Sequence, residues 1–224
     1  MHNIHIAGTG IWFPDERISN EELVNSYNSY VDLFNDKNHS KIQEGLLDSM
    51  EYSSVEFVEK ASGIKSRHVI DKEGILDINR MMPRVKNEHE DRLSIHAEVG
   101  IKAAKKAMKQ ASVISSDIDA VIVGSSHSAR NYPAVAIEIQ KELSINGYAY
   151  DMLVGCSSTT FAINNAFSDI ASGLAKTILV INPEISKPFV NFTHRDKHFI
   201  FGDGCAATIV QKDSNSEKSF NILD

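Results

Sequence analysis

Apolar residues in this chain form short continuous runs that alternate with stretches of helical spacing. Such runs predict buried strands, and apolar residues at every third or fourth position predict one face of a helix. The predicted strands are residues 4–7, 118–124, 147–154, 177–181 and 200–210. The predicted helices are residues 20–27, 56–61, 95–111, 133–143 and 157–173. This alternation predicts an α/β fold with a mixed but mostly parallel five-stranded sheet, flanked by helices on both faces.

Two polar and charged stretches interrupt the alternation, at about residues 30–53 and 72–91. The first has some helical spacing at residues 41–50, and Pro83 interrupts the second. Stretches of this composition are typical of surface excursions. We therefore expect insertions here, partly helical in the first case and loop-like in the second.

Cys156 lies between an apolar run and a helical pattern, directly after Gly155. This order places the cysteine on a strand-to-helix turn, at the edge of the sheet where active sites gather in α/β folds. The first turn of a helix presents unpaired N–H groups, and its dipole favours the thiolate, which is the nucleophilic form. Cys156 is therefore the candidate nucleophile. The alternative is a buried structural cysteine, which is the more common situation for a free thiol.

Composition and charge exclude several classes of protein. The formal net charge is −7 and no long basic run offsets it, which argues against a general binder of nucleic acid or membrane surfaces. Two cysteines are too few for a disulfide framework, so a reducing cytoplasm fits best. The amino terminus has no charged segment followed by an apolar one, and no apolar run approaches the length of a membrane span.

Three further patterns suggest chemistry less strongly. Gly8-Thr-Gly10 lacks the third glycine of a dinucleotide fingerprint, because Phe13 stands at that position. His194 and His198 have the spacing of a metal pair but lack the acidic partner, so no metal site is predicted. A row of lysines on the helix 95–111 is either an anion-binding patch or, more commonly, a solvated face.

Four segments resemble one family, the β-ketoacyl-acyl-carrier-protein synthases III of the thiolase superfamily. These segments are Ile6-Ala-Gly-Thr-Gly-Ile-Trp-Phe-Pro14, Ala61-Ser-Gly-Ile-Lys-Ser-Arg67, Asp151-Met-Leu-Val-Gly-Cys-Ser157 and Phe201-Gly-Asp-Gly204. They occur in the family's order, and the two insertions resemble those of its long-form branch. The resemblance implies a thiolase-like fold of two similar halves, of which this chain is similar to the first.

The resemblance also implies a reaction. Cys156 would take an acyl group from acyl-coenzyme A as a thioester and pass it to the carbanion formed by decarboxylating malonyl-acyl-carrier protein. The backbone N–H of Cys156 would supply one donor of the oxyanion hole. The implied partners are these two substrates and a second copy of the chain in a homodimer, with no separate cofactor.

Three more residues match positions that bind substrate in the family. Phe57 and Arg195 stand where an aromatic side chain and an arginine clamp the adenine of coenzyme A, with Phe57 in place of the more familiar tryptophan. Tyr132 stands near an aromatic residue that closes the acyl pocket across the dimer interface. Without the resemblance, Phe57 would be interpreted as a core residue and Arg195 as a solvated charge.

The family also uses a histidine and an asparagine to assist decarboxylation, and both come from its second half. None of the nine histidines here matches that motif. We therefore expect residues 1–213 to form the amino-terminal, cysteine-bearing half, and residues 214–224 to begin a linker to a second half. The alternatives are a half-domain that acts as an interaction module, or a cysteine-dependent acyl hydrolase. For a hydrolase, Val154 and Ser158 replace the glycines of a nucleophile elbow.

Overall fold

The computed structural model describes residues 3–84, 92–128, 130, 132–186, 190–214 and 219–223. The chain divides into two compact units. The sheet unit comprises Met1–Trp12, Asn87–Glu184 and Gly204–Asp224, and the helical unit comprises Phe13–Lys86 and Ile185–Asp203. The predicted boundary between residues 213 and 214 separates the cysteine-bearing half from a linker. It is a different kind of division from that into compact units, and it stays a prediction.

The elements alternate much as the apolar pattern indicates. The strands are β1 (Ile4–Trp12), β2 (Arg17–Ser19), β3 (Ser66–His68), β4 (Ala120–Ser125), β5 (Tyr148–Leu153), β6 (Thr177–Glu184), β7 (Gly204–Lys212) and β8 (Phe220–Asn221). The helices are α1 (Asn20–Lys37), α2 (His39–Gln43), α3 (Val55–Ser62), α4 (Lys72–Leu76), α5 (Ile95–Ala111), α6 (Val135–Glu142) and α7 (Ser158–Ala171).

The main sheet of the described residues has six strands in the order β5-β4-β6-β7-β1-β8. The predicted mixed sheet with flanking helices is confirmed, but the expectation of a mostly parallel sheet is wrong. Only β4 pairs in parallel, with β5 and with β6, whereas β6–β7, β7–β1 and β1–β8 are antiparallel. A continuous apolar run reveals that a strand is buried but not its direction. The extra strand, β8, is short and exposed and lies within the predicted linker.

Helices cover both faces of the sheet. Ala162, Ala166 and Ile170 of α7 pack on one face, in a cluster with residues of β4 and β6. On β1, Gly8 and Gly10 lie against α5, where an added Cβ would stand 2.5 and 2.2 Å from the carbonyl oxygens of Ala107 and Ala103. These glycines therefore serve close packing of a helix on a strand, which agrees with rejecting a dinucleotide fingerprint.

The helical unit has its own apolar core. Tyr27, Val31 and Phe192 are fully buried there, with residues from β2, α3 and α4 around them. A capping box starts α1, because the Ser19 side chain accepts from the Glu22 N–H and the Glu22 carboxylate accepts from the Ser19 N–H. The helix runs on to Lys37, beyond the predicted end at Tyr27, because Tyr30 and Val31 continue its buried face.

The second predicted insertion is not wholly loop-like, since residues 72–76 form α4. Its N-cap, Asp71, accepts a hydrogen bond from the Gly74 N–H at 3.0 Å. Hydrogen bonds from Arg84 hold the pKa of Asp71 down, to about 2. Residues 85–91 lie outside the described part of the chain.

Arg67, from the second family-like segment, is a buried cation in the helical unit. Its guanidinium donates to the carbonyl oxygens of Ile18 and Phe199, at 3.2 and 3.1 Å, and to the Asn20 side chain at 2.8 Å. Burial lowers its pKa. The segment therefore ties β2, β3 and the turn before β7 together.

We expect Arg67→Ala to lower the free energy of unfolding by about 2 kcal/mol, because three buried acceptors lose their donor. Urea denaturation measures this difference. Arg17→Ala is the control, since Arg17 is exposed and bonds only the Ser66 hydroxyl among the described residues. Equal and small effects of the two substitutions would contradict the structural role of Arg67.

Candidate active site

Cys156 lies on the turn between β5 and α7, as the sequence predicts. The turn is a single 3₁₀ turn, Gly155–Ser157, and α7 begins at the next residue. Gly155 has a φ of 59°, in the left-handed region that favours glycine. The side chain of Cys156 is exposed. The structure therefore contradicts the alternative of a buried structural cysteine.

The second cysteine, Cys205 on β7, has the opposite environment. Its side chain is 4% exposed, and burial raises the pKa of its thiol to about 12. A thiol that stays protonated in a closed site is a poor nucleophile. Cys205 is therefore a natural control for Cys156, because its thiol is enclosed whereas that of Cys156 is open to substrate.

Large apolar side chains surround Cys156 in the sequence and remain exposed. We call Leu153, Val154 and Phe161 the apolar rim: Leu153 is the last residue of β5, Val154 follows it, and Phe161 lies in the first turn of α7. Large apolar side chains exposed together commonly mark a binding surface. The rim is therefore an exposed apolar set, close to Cys156 in the sequence, of the kind that an acyl chain or a protein surface contacts.

The hydroxyl of Ser158 holds the turn, a role that the sequence analysis did not assign. It accepts a hydrogen bond from the Val154 N–H at 2.8 Å. It lies 2.9 Å from the carbonyl oxygen of Ser125, at the end of β4, and 2.8 Å from that of Gly155. The side chain is buried, so these contacts exclude water.

The structure brings Phe57 and Arg195 together in the helical unit, although they are far apart in the sequence. The guanidinium carbon of Arg195 lies 4.2 Å from the centroid of the Phe57 ring. Its Nε donates to the Tyr52 carbonyl oxygen at 2.9 Å, and its Nη1 lies 3.9 Å from Glu51. Ring and guanidinium are in direct contact, so no adenine fits between them in this arrangement. Their role in coenzyme A binding stays a prediction.

Tyr132 and Cys156 both belong to the sheet unit, whereas Phe57 and Arg195 belong to the helical unit. The Tyr132 side chain is 88% exposed, just before α6. An exposed aromatic side chain is available to a partner surface. Its contact across a dimer interface stays a prediction.

The Phe201–Gly204 segment owes its structural role to its aspartate as well as to its glycines. The Asp203 carboxylate accepts from the N–H groups of Ile70 and Ser186, at 2.7 and 2.6 Å, and from the Ser186 hydroxyl. An added Cβ on Gly202 would stand 2.8 Å from the His68 carbonyl oxygen. Hydrogen bonds of this kind join segments that are distant in the sequence, so they leave no periodic signal in it.

Among the residues that the structure describes, His194 and His198 belong to no group of three or more potential metal ligands. His198 is buried, stacks on Tyr27 with ring centroids 4.6 Å apart, and lies with Nδ1 2.8 Å from the Arg195 carbonyl oxygen. Across the described ranges, no three His, Cys, Asp or Glu side chains converge as metal ligands would. Nor is any helix within those ranges both long and apolar enough to cross a bilayer.

Comparisons with known proteins agree with this geometry. Residues 150–224 match the family model of 3-oxoacyl-[acyl-carrier-protein] synthase III. The β-ketodecanoyl-[acyl-carrier-protein] synthase of Pseudomonas aeruginosa is 48% identical over 187 residues, which are 84% of this chain and 53% of that protein. The β-ketoacyl-[acyl-carrier-protein] synthase III of Brucella anthropi is 31% identical over 169 residues, or 75% of this chain and 45% of that protein.

Solved structures show the same fold. The 3-oxoacyl-[acyl-carrier-protein] synthase III of Aquifex aeolicus superposes with a TM-score of 0.68 at 25% identity, covering 95% of this chain and 54% of that one. The chain thus spans about half the length of the relatives that it matches. The similarity in sequence and the shared fold identify the chain as a thiolase-superfamily protein of the 3-oxoacyl-acyl-carrier-protein synthase III type.

Proposed function

We propose that Cys156 is the acyl-accepting nucleophile of a β-ketoacyl-acyl-carrier-protein synthase III that initiates fatty acid synthesis. The observation that carries this proposal is the open thiol of Cys156 at the start of α7, in a chain of this family. The reaction needs no cofactor beyond its substrates. Two free cysteines suit a reducing compartment, so we place the activity in the cytoplasm.

In the first step, the Cys156 thiolate attacks the thioester carbonyl of acyl-coenzyme A. The C–S bond to coenzyme A breaks as the new C–S bond forms, and the coenzyme A thiolate leaves and takes up a proton. The backbone N–H of Cys156 donates to the oxyanion of the tetrahedral intermediate. The N-terminal end of α7 adds the favourable field of its dipole.

In the second step, malonyl-acyl-carrier protein loses carbon dioxide, and its carbanion attacks the acyl-Cys156 thioester. This step forms the new C–C bond and releases the Cys156 thiolate. The resemblance places the histidine and asparagine for decarboxylation in a second half of the fold. Condensation is therefore proposed for a protein that contains both halves, and acyl loading for the residues present here.

The primer is proposed to be a medium-chain acyl group. The apolar rim offers contacts to a chain longer than acetyl. The Pseudomonas aeruginosa relative is named for a β-ketodecanoyl product, which supports the same choice. We also propose a homodimer, in which Tyr132 closes the acyl pocket of the other copy, since two-fold pairing is the commonest assembly.

The test is incubation of the chain with acetyl-, octanoyl- and palmitoyl-coenzyme A, each labelled in the acyl group. We expect protein-bound label that hydroxylamine releases, in the largest amount with octanoyl-coenzyme A. Steady release of free acid would instead indicate a hydrolase, and absence of label would indicate an interaction module. Condensation with malonyl-acyl-carrier protein is expected only when the histidine and asparagine are also supplied.

Arg195 and Phe57 provide a test of coenzyme A recognition. Arg195→Ala is expected to raise the acyl-coenzyme A concentration for half-maximal labelling about tenfold, because a stacking contact with a cation contributes about 1 to 2 kcal/mol. The same substitution should leave labelling by acyl-pantetheine, which has no adenine, unchanged. The Arg195 guanidinium covers the Phe57 ring. The adenine must therefore either stack on the outer face of the guanidinium or displace the guanidinium from the ring.

Lys197→Ala is the control for charge alone, because Lys197 is an exposed cation two residues further along the same segment. It should behave as the wild type with both donors. If Arg195→Ala weakened labelling by acyl-coenzyme A and acyl-pantetheine equally, the adenine role of the Phe57–Arg195 pair would be wrong.

A further inference from the structure

We propose that Ser158 is a positioning residue that fixes the Cys156 turn for acyl transfer. The inference rests on the proposed function in so far as it concerns the acyl-transfer step. Its basis is the set of contacts that converge on one buried hydroxyl. Ser158 does not touch the reacting atoms, so its effect acts through the backbone of the turn.

The hydroxyl joins three segments of the sheet unit. As acceptor, it binds the N–H of Val154, the residue that follows β5. As donor, it has a single proton, which goes either to the Ser125 carbonyl oxygen at the end of β4 or to the Gly155 carbonyl oxygen within the turn. Val154 and Ser158, which flank the turn Gly155–Ser157, are thus joined through one atom.

The backbone of α7 is held at the same point by a second, independent contact. An added Cβ on Gly124 would stand 2.8 Å from the Ser158 carbonyl oxygen, so the first turn of α7 lies directly against β4. Asn182 of β6 donates to the Gly124 carbonyl oxygen at 2.9 Å and fixes that strand in turn. The hydroxyl therefore acts where α7 packs closely against β4, so the helix has little room to shift.

A fixed position of the turn matters because Cys156 contributes two groups to one reaction. Its sulfur attacks the carbonyl carbon, and its own N–H binds the oxyanion that forms, so both must keep their relative orientation. Gly155 gives the turn its left-handed conformation but no side chain to hold it. A misplacement of about 1 Å in such a site lowers a reaction rate about a hundredfold, whereas simple alkylation of a thiol has no such geometric demand.

The test compares two reactions of Cys156 in Ser158→Ala. Acyl transfer from octanoyl-coenzyme A should fall at least about tenfold, whereas alkylation by iodoacetamide should stay within about twofold, because the thiol remains open. Ser158→Thr, which keeps a hydroxyl, should restore acyl transfer. Ser168→Ala is the matched control, since Ser168 also donates to a carbonyl oxygen on α7, that of Asn164 at 2.9 Å, away from the turn. It should change neither rate.

Two outcomes would overturn the inference. Unchanged acyl transfer in Ser158→Ala would show that the hydroxyl is not needed, and an equal fall in both reactions would show a merely structural role. If the wild-type chain accepts no acyl group at all, the proposed function fails, and amide hydrogen exchange then decides on Ser158. The Val154 N–H should exchange at least about tenfold faster in Ser158→Ala than in wild type, and an equal rate would refute the contact.

Discussion

A chain with Cys156→Ala is expected to take up no acyl group from acyl-coenzyme A, a loss on the order of a thousandfold or more. No other described side chain of this type is open to substrate, because Cys205 is enclosed and its thiol has a raised pKa of about 12. An alanine also leaves the turn and the first turn of α7 intact. The loss should therefore occur without a change in melting temperature.

Cys205→Ala is the matched control. Removing a buried sulfur leaves a small cavity on β7 and costs some stability, but the Cys156 thiol is unaffected. Acyl labelling should remain at the wild-type level in this variant. Labelling that survived in Cys156→Ala and disappeared in Cys205→Ala would reverse the assignment of the two thiols.

The second large effect is a loss of stability in mild acid through His96. This side chain, on α5, is 2% exposed, and neither ring nitrogen has a hydrogen-bond partner among the described residues. Burial, and secondarily the charge of His127, lower the pKa of His96 to about 4. The unfolded chain therefore binds a proton on this residue between about pH 6.5 and pH 4 that the folded chain does not.

The free energy of unfolding should consequently fall as the pH is lowered through that window, by an amount on the order of 3 kcal/mol at pH 4. Urea denaturation at a series of pH values measures this fall. His198, whose pKa is also lowered by burial, adds to it in the same direction. Asp71 has a pKa of about 2 in the folded chain against an ordinary value of 3.8, so its contribution is lost mainly below about pH 4, where the unfolded chain binds a proton that the folded chain does not.

His96→Met replaces the imidazole with an apolar side chain of similar length, which cannot bind a proton. In that variant, the free energy of unfolding should fall less between pH 6.5 and pH 4, because the contribution of His96 is absent. His39→Gln, at an exposed position on α2, should keep the wild-type pH dependence. If His96→Met retained the full dependence, the buried neutral state of His96 would not be its source.

The surroundings of Cys156 were predictable from sequence because they depend on local signals. An apolar run, a glycine and a helical pattern follow one another within residues 147–173, and together they predict the turn. The caps at Ser19 and Ser94 were predictable for the same reason, since a cap and its partner lie three residues apart.

The rest of the fold depends on contacts that sequence spacing does not encode. Strand direction is one case, because β7 reads as an apolar run whether it pairs in parallel or antiparallel with β6. The Ser158 hydroxyl is another, since its acceptor on β4 is distant in the sequence. The contact between Arg195 and Phe57 is a third, because the resemblance gives their positions but not their direct stacking.

Tandem mass spectrometry of peptides, after brief exposure of the chain to octanoyl-coenzyme A, shows whether Cys156 is the acyl acceptor. We expect the added mass of one octanoyl group on the peptide that contains Cys156, and an unmodified peptide for Cys205. An octanoyl group on any other residue, or the absence of an adduct from a folded chain, would contradict it.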